Sequence, residues 1–332
     1  MTIQEVAAAM VADGKGILAM DESSGTIEKR FTALGVESTE HTRWSYRYSL
    51  VSVKGLGQFI SGAILFDETI RSKDKEGVAF TELLAREGIL PGIKVDMGAK
   101  DFAGHPGEKN TIGLDGLPMR LTEYASLGAK FAKWRAVITI GSGIPTDDCI
   151  AANAEGLAKY GKMCQDAGIV PIIEPEVLLD GDHTIEESFE ITKKTQEQVF
   201  MALKQEGVAF DGMVLKPSMV ISGKDCSSQA SAEDVASKTV ECLKATVPVG
   251  VPGCAFLSGG QTDDQAASHL NLMNKNHPDV PFKLTFSYGR ALQREAMAAW
   301  AGKDENQDLA RAAVLKKAEI YSKASKGEYQ ES

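Results

Sequence analysis

Eight short apolar runs recur along the chain, and they constrain the fold more than any other feature of the sequence. The runs occupy residues 16–21, 61–67, 91–96, 131–138, 170–178, 211–217, 253–260 and 283–290. Continuous apolar runs of this length are typical of parallel strands whose two faces are both buried. The sequence therefore predicts eight buried strands.

Helical patterns lie between most of these runs. Residues 147–168 carry apolar side chains at helical spacing, and glycines close the predicted helices at Gly128, Gly168 and Gly207. At the N-terminus, Thr2 is predicted to cap a helix that continues to about Ala12. This alternation predicts an α/β fold, a (β/α)8 TIM barrel.

A doubly wound open sheet is the alternative fold. That architecture favours a GxGxxG motif after a strand, and no such motif follows any of the eight runs. No linker or low-complexity segment separates the first run from the last. We therefore predict one domain over residues 1–332, with C-terminal helices and a short polar tail from about residue 324.

Composition excludes several classes of function. The net charge of −10 opposes a general nucleic-acid binder, which needs a basic surface. No apolar run approaches the length of a membrane span, and the N-terminal segment resembles a helix and not a signal peptide. Five cysteines without CxxC spacing indicate reduced thiols, so we predict a cytoplasmic protein. The five histidines show no metal-binding spacing, and no metal or cofactor is predicted.

Lys216 ends the sixth apolar run, directly before Pro217. Burial disfavours the ammonium form, and a partly desolvated amine can attack a carbonyl carbon to form a Schiff base. The alternative is a lysine whose stem packs in the interior while its head reaches water.

Charged residues also stand at the ends of four other predicted strands, where the active sites of such barrels lie. They are Asp21, Lys94, Asp96, Lys133, Arg135, Glu174 and Glu176. Because side chains alternate between the faces of a strand, the two ions of each pair on one strand share a face. Helices cover the outer face, so the pairs are predicted to point into the barrel, where acids and bases can compensate one another. Cationic neighbours should also help Lys216 to lose its proton. The alternative is a purely structural ion-pair network.

Two groups of residues could bind phosphate. The loops after the seventh and eighth strands are the usual phosphate site of this barrel, and they carry Ser258, Gly259, Gly260, Ser287, Gly289 and Arg290. A second group follows the first strand, where Ser23, Ser24 and Thr26 precede Lys29 and Arg30. The alternative for this second group is a helix cap followed by a solvated basic face.

Several motifs together resemble the class I fructose-bisphosphate aldolases. The resemblance runs from about Gly14 to Lys326 and rests on LAMDESSGTIEKR, ILFDETI, GIKVD, GLDGL, FAKWR, IVPIIEPEVLLDGDH, VLKPSMV, FLSGGQ and LTFSYGRALQ. It implies metal-independent, reversible cleavage of fructose 1,6-bisphosphate into dihydroxyacetone phosphate and glyceraldehyde 3-phosphate, in glycolysis and gluconeogenesis. It also implies a cytoplasmic homotetramer that takes phosphorylated ketoses and trioses, with no nucleic-acid or membrane partner.

The resemblance also implies roles for individual residues. Lys216 matches the Schiff-base lysine, Glu174 the acid and base of carbinolamine dehydration, and Asp21 the acceptor of the C4 hydroxyl proton. Lys133 matches the lysine beside the imine, and Glu176 the second glutamate of its pair. The implied substrate-binding residues are Lys94 and Arg135 in the channel, Ser258, Gly259, Gly260, Ser287, Gly289 and Arg290 around one phosphate, and Lys29 and Arg30 at the other end.

One departure from the family concerns the C-terminus. Animal members end in a catalytic tyrosine, whereas the last tyrosine here, Tyr329, is followed by three more residues. We therefore assign Tyr329 no catalytic role. Two other functions remain open from the sequence: a Schiff-base aldolase for another sugar phosphate, and a non-catalytic barrel that serves as a scaffold or ligand sensor.

Overall fold

A computed structural model describes residues 1–330, and within them eight parallel strands close into a barrel. The strands in chain order are β1 (Gly16–Met20), β2 (Ile60–Leu65), β3 (Leu90–Lys94), β4 (Ala99–Asp101), β5 (Lys109–Thr111), β6 (Phe131–Ile138), β7 (Val170–Val177), β8 (Val214–Leu215), β9 (Gly253–Phe256) and β10 (Lys283–Tyr288). The barrel order is β1, β2, β3, β6, β7, β8, β9 and β10, while β4 and β5 form a separate antiparallel hairpin. The predicted (β/α)8 barrel is confirmed.

Helices surround the barrel and follow its strands. They are α1 (Ile3–Met10), α2 (Ser24–Thr32), α3 (Glu40–Val51), α4 (Asp67–Ile70), α5 (Phe80–Arg86), α6 (Leu117–Ser126), α7 (Asp147–Asp166), α8 (Ile185–Gln205), α9 (Ala232–Thr246), α10 (Asp263–Asn276), α11 (Arg290–Trp300) and α12 (Gln307–Ala324). No helix in residues 1–330 is both long enough and apolar enough to cross a membrane.

Local sequence signals explain where several helices begin and end. The Thr2 hydroxyl accepts a hydrogen bond from the Glu5 amide at 3.2 Å, so the predicted cap is confirmed, although α1 ends at Met10 and not near Ala12. After α6, α7 and α8, the backbone turns through Gly128, Gly168 and Gly207 at φ angles of 104°, 71° and 74°. These left-handed angles suit glycine because it has no Cβ.

The lower half of the barrel is filled by apolar side chains, which leaves the charged residues to the upper end. Phe131, Ile172 and Val214 belong to one buried cluster with residues of α1. A Cβ at Gly92 would lie 2.2 Å from the Phe131 ring, so only glycine leaves room for that ring inside the barrel. Trp134 alternates with the inward-facing Lys133 along β6, and it stacks on Tyr160 of α7 outside the barrel.

The eighth barrel element differs most from its prediction. The run at 211–217 was predicted to be a strand, but only Val214–Leu215 has strand geometry, because Phe210–Gly212 forms a 3-10 turn and Pro217 has no N–H to donate. The Lys216 amide still donates to the Ile173 carbonyl of β7 at 2.8 Å. The backbone of Lys216 is therefore held against the barrel even though the strand has ended.

Neither α3 nor the β4–β5 hairpin was predicted from the sequence. The α3 segment EHTRWSYRYSLV is rich in polar and aromatic residues, so it lacks the simple apolar spacing of the other helices. The predicted polar tail begins where α12 ends, and its last two residues, 331 and 332, lie outside the described residues. All five cysteines are free thiols.

Candidate active site

A cavity of about 480 Å³ opens at the carboxyl ends of the barrel strands. Nearly all the predicted site residues line it: Asp21, Lys29, Arg30, Lys94, Lys133, Arg135, Glu174, Glu176, Lys216, Ser258, Gly259, Ser287, Gly289 and Arg290. Gly260 is the exception, although a Cβ there would lie 3.6 Å from Arg290 Nη2, so it borders the same region. The barrel thus gathers residues from seven strand ends around one volume.

Lys216 lies at the floor of this cavity. The residue is only 4% exposed, so its head does not reach bulk water as the alternative interpretation required. Its Nζ lies 3.1 Å from Glu174 Oε1, which is the one ion pair that it makes among the described residues. An amine and a carboxylate at this distance can exchange a proton directly.

Lys133 lies at the centre of the buried charges. Its Nζ is 2.8 Å from Asp21 Oδ2, 3.5 Å from Glu174 Oε2 and 3.8 Å from Asp96 Oδ2. Burial alone would lower the pKa of Lys133, but the Asp21, Glu174 and Asp96 carboxylates outweigh it and raise that pKa above its ordinary value. Lys133 is therefore a permanent cation at neutral pH.

Asp21 follows the end of β1 and faces Lys133 across the cavity. Burial favours the neutral carboxyl group, but Lys133 and then Lys216 act in the opposite direction, and the pKa of Asp21 is lowered from its ordinary value. Asp21 is therefore a carboxylate at neutral pH, and as such it can accept a proton from a substrate hydroxyl.

The remaining charged pairs lie higher in the cavity. Lys94 Nζ donates to Asp96 Oδ1 at 2.6 Å, and the Arg135 guanidinium donates to Glu176. The Arg135 side chain is 43% exposed, so it lies at the rim and not in the enclosed interior that strand alternation predicted. Arg135 lies two residues beyond Lys133 on β6, closer to the carboxyl end of the strand, where the cavity opens.

The loops after β9 and β10 form a basic corner of the cavity. Gly259 and Gly260 have φ angles of 58° and 100°, conformations that expose backbone N–H groups and favour glycine. Ser287 Oγ is buried without a hydrogen-bond partner among the described residues. Arg290 makes no ion pair within residues 1–330, and its pKa is lowered by burial and by Arg30 nearby. The Ser287 hydroxyl, which lacks a partner, and the Arg290 guanidinium, which makes no ion pair, could both donate hydrogen bonds to a bound anion.

A second group of lining residues belongs to α2, which begins at Ser24 and carries Lys29 and Arg30 in its last turn. Ser23 occupies the N-cap position, yet its side chain makes no capping hydrogen bond and lies 3.1 Å from Thr26 Oγ1 instead. The Arg30 guanidinium donates to Glu22, so part of its hydrogen-bonding capacity is already used. These hydroxyls, with Lys29 and Arg30, stay available to an anionic group of the substrate.

Two polar residues near the site were missed in the sequence. Glu22 lines the cavity and accepts a hydrogen bond from Gln293 Nε2 at 2.8 Å. Gln293 belongs to α11 and lies just behind the cavity wall. A carboxylate directly after Asp21, and a glutamine one turn after Arg290, were the available signals. Tyr329 does not line the cavity, and its backbone N–H donates to Asn271.

The amino-acid sequence of the chain is similar to one protein family along almost its whole length. A family model described as "Glycolytic: Fructose-bisphosphate aldolase class-I" matches residues 2–332. A "Probable fructose-bisphosphate aldolase class 1" of Xanthomonas campestris pv. campestris is 54% identical over 322 residues, which cover 97% of this chain and 95% of that protein. "Fructose-bisphosphate aldolase 1" of Toxoplasma gondii is 49% identical over 329 residues, which cover 98% of this chain and 90% of that protein.

A solved structure is similar in both fold and sequence. It is the fructose-bisphosphate aldolase from Plasmodium falciparum, in a ternary complex with TRAP and a small-molecule inhibitor. The TM-score is 0.97 and the identity is 47%, over 99% of this chain and 95% of that chain. The likeness therefore covers the whole barrel together with the loops that build the cavity.

Proposed function

The chain belongs to the class I fructose-bisphosphate aldolase family, and we propose that it cleaves fructose 1,6-bisphosphate reversibly through an imine on Lys216. The products are dihydroxyacetone phosphate and glyceraldehyde 3-phosphate. One observation carries the assignment of Lys216: its buried Nζ lies 3.1 Å from Glu174 Oε1, at the floor of a cavity whose rim is basic. Family membership supports the reaction, and this geometry supports the choice of residue.

Imine formation uses Lys216 and Glu174. The Lys216 ammonium passes a proton to Glu174, and the resulting neutral amine attacks the C2 carbonyl carbon. Glu174 gives that proton to the alkoxide oxygen and takes one from the nitrogen, so that the neutral carbinolamine forms. Protonated Glu174 then donates to the carbinolamine hydroxyl, which leaves as water while the nitrogen lone pair forms the C=N bond. The resulting iminium withdraws electrons from the neighbouring carbon, so the carbanion needs no metal to stabilise it.

Carbon–carbon cleavage uses Asp21. The carboxylate takes the proton of the C4 hydroxyl, the C4 oxygen forms a carbonyl, and the C3–C4 electron pair moves to C3 to give an enamine on Lys216. Glyceraldehyde 3-phosphate leaves, C3 takes up a proton, and water hydrolyses the imine. Lys133, held cationic by three carboxylates, keeps Asp21 ionised for this step and stabilises negative charge that develops beside the imine.

The basic corner and the α2 end of the cavity suit the two phosphates of the substrate. Backbone amides of Gly259, Gly260 and Gly289, together with Ser287 and Arg290, surround one phosphate in this proposal, and Lys29 and Arg30 meet the other. Lys94, Arg135 and Glu176 line the channel between them. Two groups of anion-binding residues, one after β9 and β10 and one on α2, favour a bisphosphate over a monophosphate in this proposal.

The Asp21→Asn variant tests the cleavage step. We expect the turnover number for fructose 1,6-bisphosphate to fall by about 100- to 10,000-fold, because an amide cannot accept the C4 hydroxyl proton. Imine formation with dihydroxyacetone phosphate should persist, because that step uses Lys216 and Glu174. Stopped-flow cleavage assays and borohydride trapping measure the two steps. A variant that lost trapping and cleavage to the same extent would assign Asp21 to imine formation instead.

The Arg290→Ala variant tests the basic corner. We expect the KM for fructose 1,6-bisphosphate to rise by about 10- to 100-fold, because charge-assisted hydrogen bonds to a phosphate contribute about 1.5–3 kcal/mol each. Steady-state kinetics give this value, with Arg294→Ala as the control because Arg294 already pairs with Asp263 at 3.3 Å. An unchanged KM in Arg290→Ala would remove Arg290 from the phosphate site.

Borohydride trapping tests the proposed function as a whole. Reduction in the presence of dihydroxyacetone phosphate should add one triose phosphate group to the protein, and peptide mass spectrometry should place that group on Lys216. Chelation of divalent metals should leave the turnover number unchanged. Failure of the folded wild-type protein to be trapped would refute the imine mechanism.

We also propose that the chain works as a cytoplasmic homotetramer. The support for both properties is family membership, together with a relative named as a cytosolic aldolase of Arabidopsis thaliana, 47% identical over 316 residues. Light scattering should give a molar mass four times that of one chain, and a stable monomer would contradict the assembly.

A further inference from the structure

Gln293 is a buried polar side chain directly behind the cavity wall. It lies in the first turn of α11, three residues after Arg290, and it is only 1% exposed. Its Nε2 donates to the Ala19 carbonyl at 2.7 Å and to Glu22 Oε1 at 2.8 Å, and its Oε1 accepts from the Tyr46 hydroxyl at 3.0 Å. Both hydrogens of the amide and its oxygen are thus engaged.

The groups that Gln293 holds flank the proposed cleavage base. Ala19 lies in β1, two residues before Asp21, and Glu22 follows Asp21 directly. In addition, Arg47 Nη2 of α3 donates to the Glu22 carbonyl at 2.8 Å. Hydrogen bonds therefore hold the chain before Asp21, at Ala19, and after it, at Glu22. Gln293 donates the two hydrogen bonds that come from α11.

We propose that Gln293 is a positioning residue for carbon–carbon cleavage, which holds residues 19–22 so that the Asp21 carboxylate meets the C4 hydroxyl of the substrate. The inference rests on the proposed function. Gln293 makes no hydrogen bond to Lys216, which follows β8, or to Glu174, which lies in β7. Its influence falls on cleavage and not on imine formation.

Only a neutral amide satisfies this position. A carboxylate there would face the Glu22 carboxylate across 2.8 Å, and like charges at that separation repel. An apolar side chain would leave the Ala19 carbonyl and the Tyr46 hydroxyl buried without their partners. Glu22 would keep its hydrogen bond from Arg30, but residues 19–22 would lose their tie to α11.

The Gln293→Met variant provides the test, because methionine keeps the length of the side chain and removes its hydrogen bonds. We expect the turnover number for fructose 1,6-bisphosphate cleavage to fall by about 10- to 100-fold, the loss that a displacement on the order of 1 Å produces. The rate of borohydride trapping with dihydroxyacetone phosphate should stay within about 3-fold of wild type, because imine formation needs no precise placement of Asp21.

Gln196→Met is the matched control. Gln196 is also 1% exposed, lies on α8 away from the cavity, and accepts a hydrogen bond from Thr246 Oγ1 at 2.6 Å. Its replacement should lower the thermal unfolding midpoint while the ratio of cleavage rate to trapping rate stays that of wild type. The control therefore distinguishes a general loss of stability from the lowered ratio of cleavage rate to trapping rate that we expect for Gln293→Met.

Tyr46→Phe is the second variant and removes only the hydroxyl that donates to Gln293. It should lower the ratio of cleavage to trapping in the same direction, by a smaller factor, even if Gln293→Met does not fold. Ratios within 2-fold of wild type in the folded variants would overturn the inference, as would equal losses of cleavage and trapping. A wild-type protein that cannot be trapped would instead overturn the proposed function itself.

Discussion

Replacement of Lys216 by methionine should abolish aldolase activity while the barrel stays folded. Because every later step takes place on the imine, we expect the cleavage rate to fall by at least about a thousandfold, or more than about 4 kcal/mol of transition-state stabilisation. Methionine keeps much of the aliphatic stem, and Glu174 retains Lys133 within 3.5 Å, so no buried carboxylate is left without a cation. Cleavage assays and circular dichroism measure the two properties.

The same variant should also lose its borohydride label. Lys224→Met is the control, because Lys224 lies outside the cavity and forms an exposed ion pair with Asp180. We expect Lys224→Met to be trapped and to turn over at the wild-type rate. If Lys216→Met kept more than a tenth of the cleavage rate, or if the triose label moved to another lysine at the same rate, Lys216 would not be the imine-forming residue.

Replacement of Lys133 by methionine should damage both activity and stability. Lys133 is the cation within 4 Å of Asp21, Glu174 and Asp96 together, so its loss leaves buried carboxylates under-compensated. Removal of one partner from a buried ion pair costs about 3–5 kcal/mol of unfolding free energy. Cleavage should fall by at least about a hundredfold, because a fixed charge beside the reacting atoms is lost.

The stability loss should depend on pH in a defined direction. In the wild type the pKa of Asp21 is lowered, so its contribution to stability is present above the ordinary value of 3.8 and disappears as pH falls through the lowered value. The pKa of Lys133 is raised, so its contribution is complete below 10.5 and disappears only at higher pH. The difference in unfolding free energy between wild type and Lys133→Met should therefore be largest near neutral pH and shrink below pH 3.8.

Urea denaturation at several pH values measures this difference. Lys159→Met is the control, because Lys159 forms an exposed pair with Glu155 on α7, and its replacement should leave the urea midpoint unchanged. A Lys133→Met protein as stable as wild type at neutral pH would show that the network does not need its central cation.

The strands were the easiest part of the fold to predict from the sequence. Each barrel strand is a local apolar run, and β6 has the bounds 131–138 that its run predicted. The prediction failed where backbone geometry overrode hydrophobicity, as at 211–217, where a 3-10 turn and Pro217 shorten β8 to two residues. It also failed for α3, whose polar and aromatic residues pack mostly through specific contacts and not through a continuous apolar stripe.

The residues that line the candidate site were predicted from the sequence, but the ion pairs between them were not. Strand alternation correctly placed Lys133 and Glu174 inside the barrel, since a side chain cannot change face without a change of register. Alternation says nothing about which neighbouring strand supplies a partner. From the sequence, acids and cations were predicted to share one volume with Lys216, but only the structure shows that its amine contacts the Glu174 carboxylate.

The order of residue types along the chain determined the barrel, the strand ends that carry charge and the lysine that we propose forms the imine, because these are local properties of apolar runs and their termini. Only the tertiary structure decided that Lys133 pairs with Asp21 and that Gln293 holds the backbone on either side of Asp21. Those contacts join β1 to β6 and to α11, segments far apart in sequence. Closure of the barrel brings them together, and no local pattern records that closure.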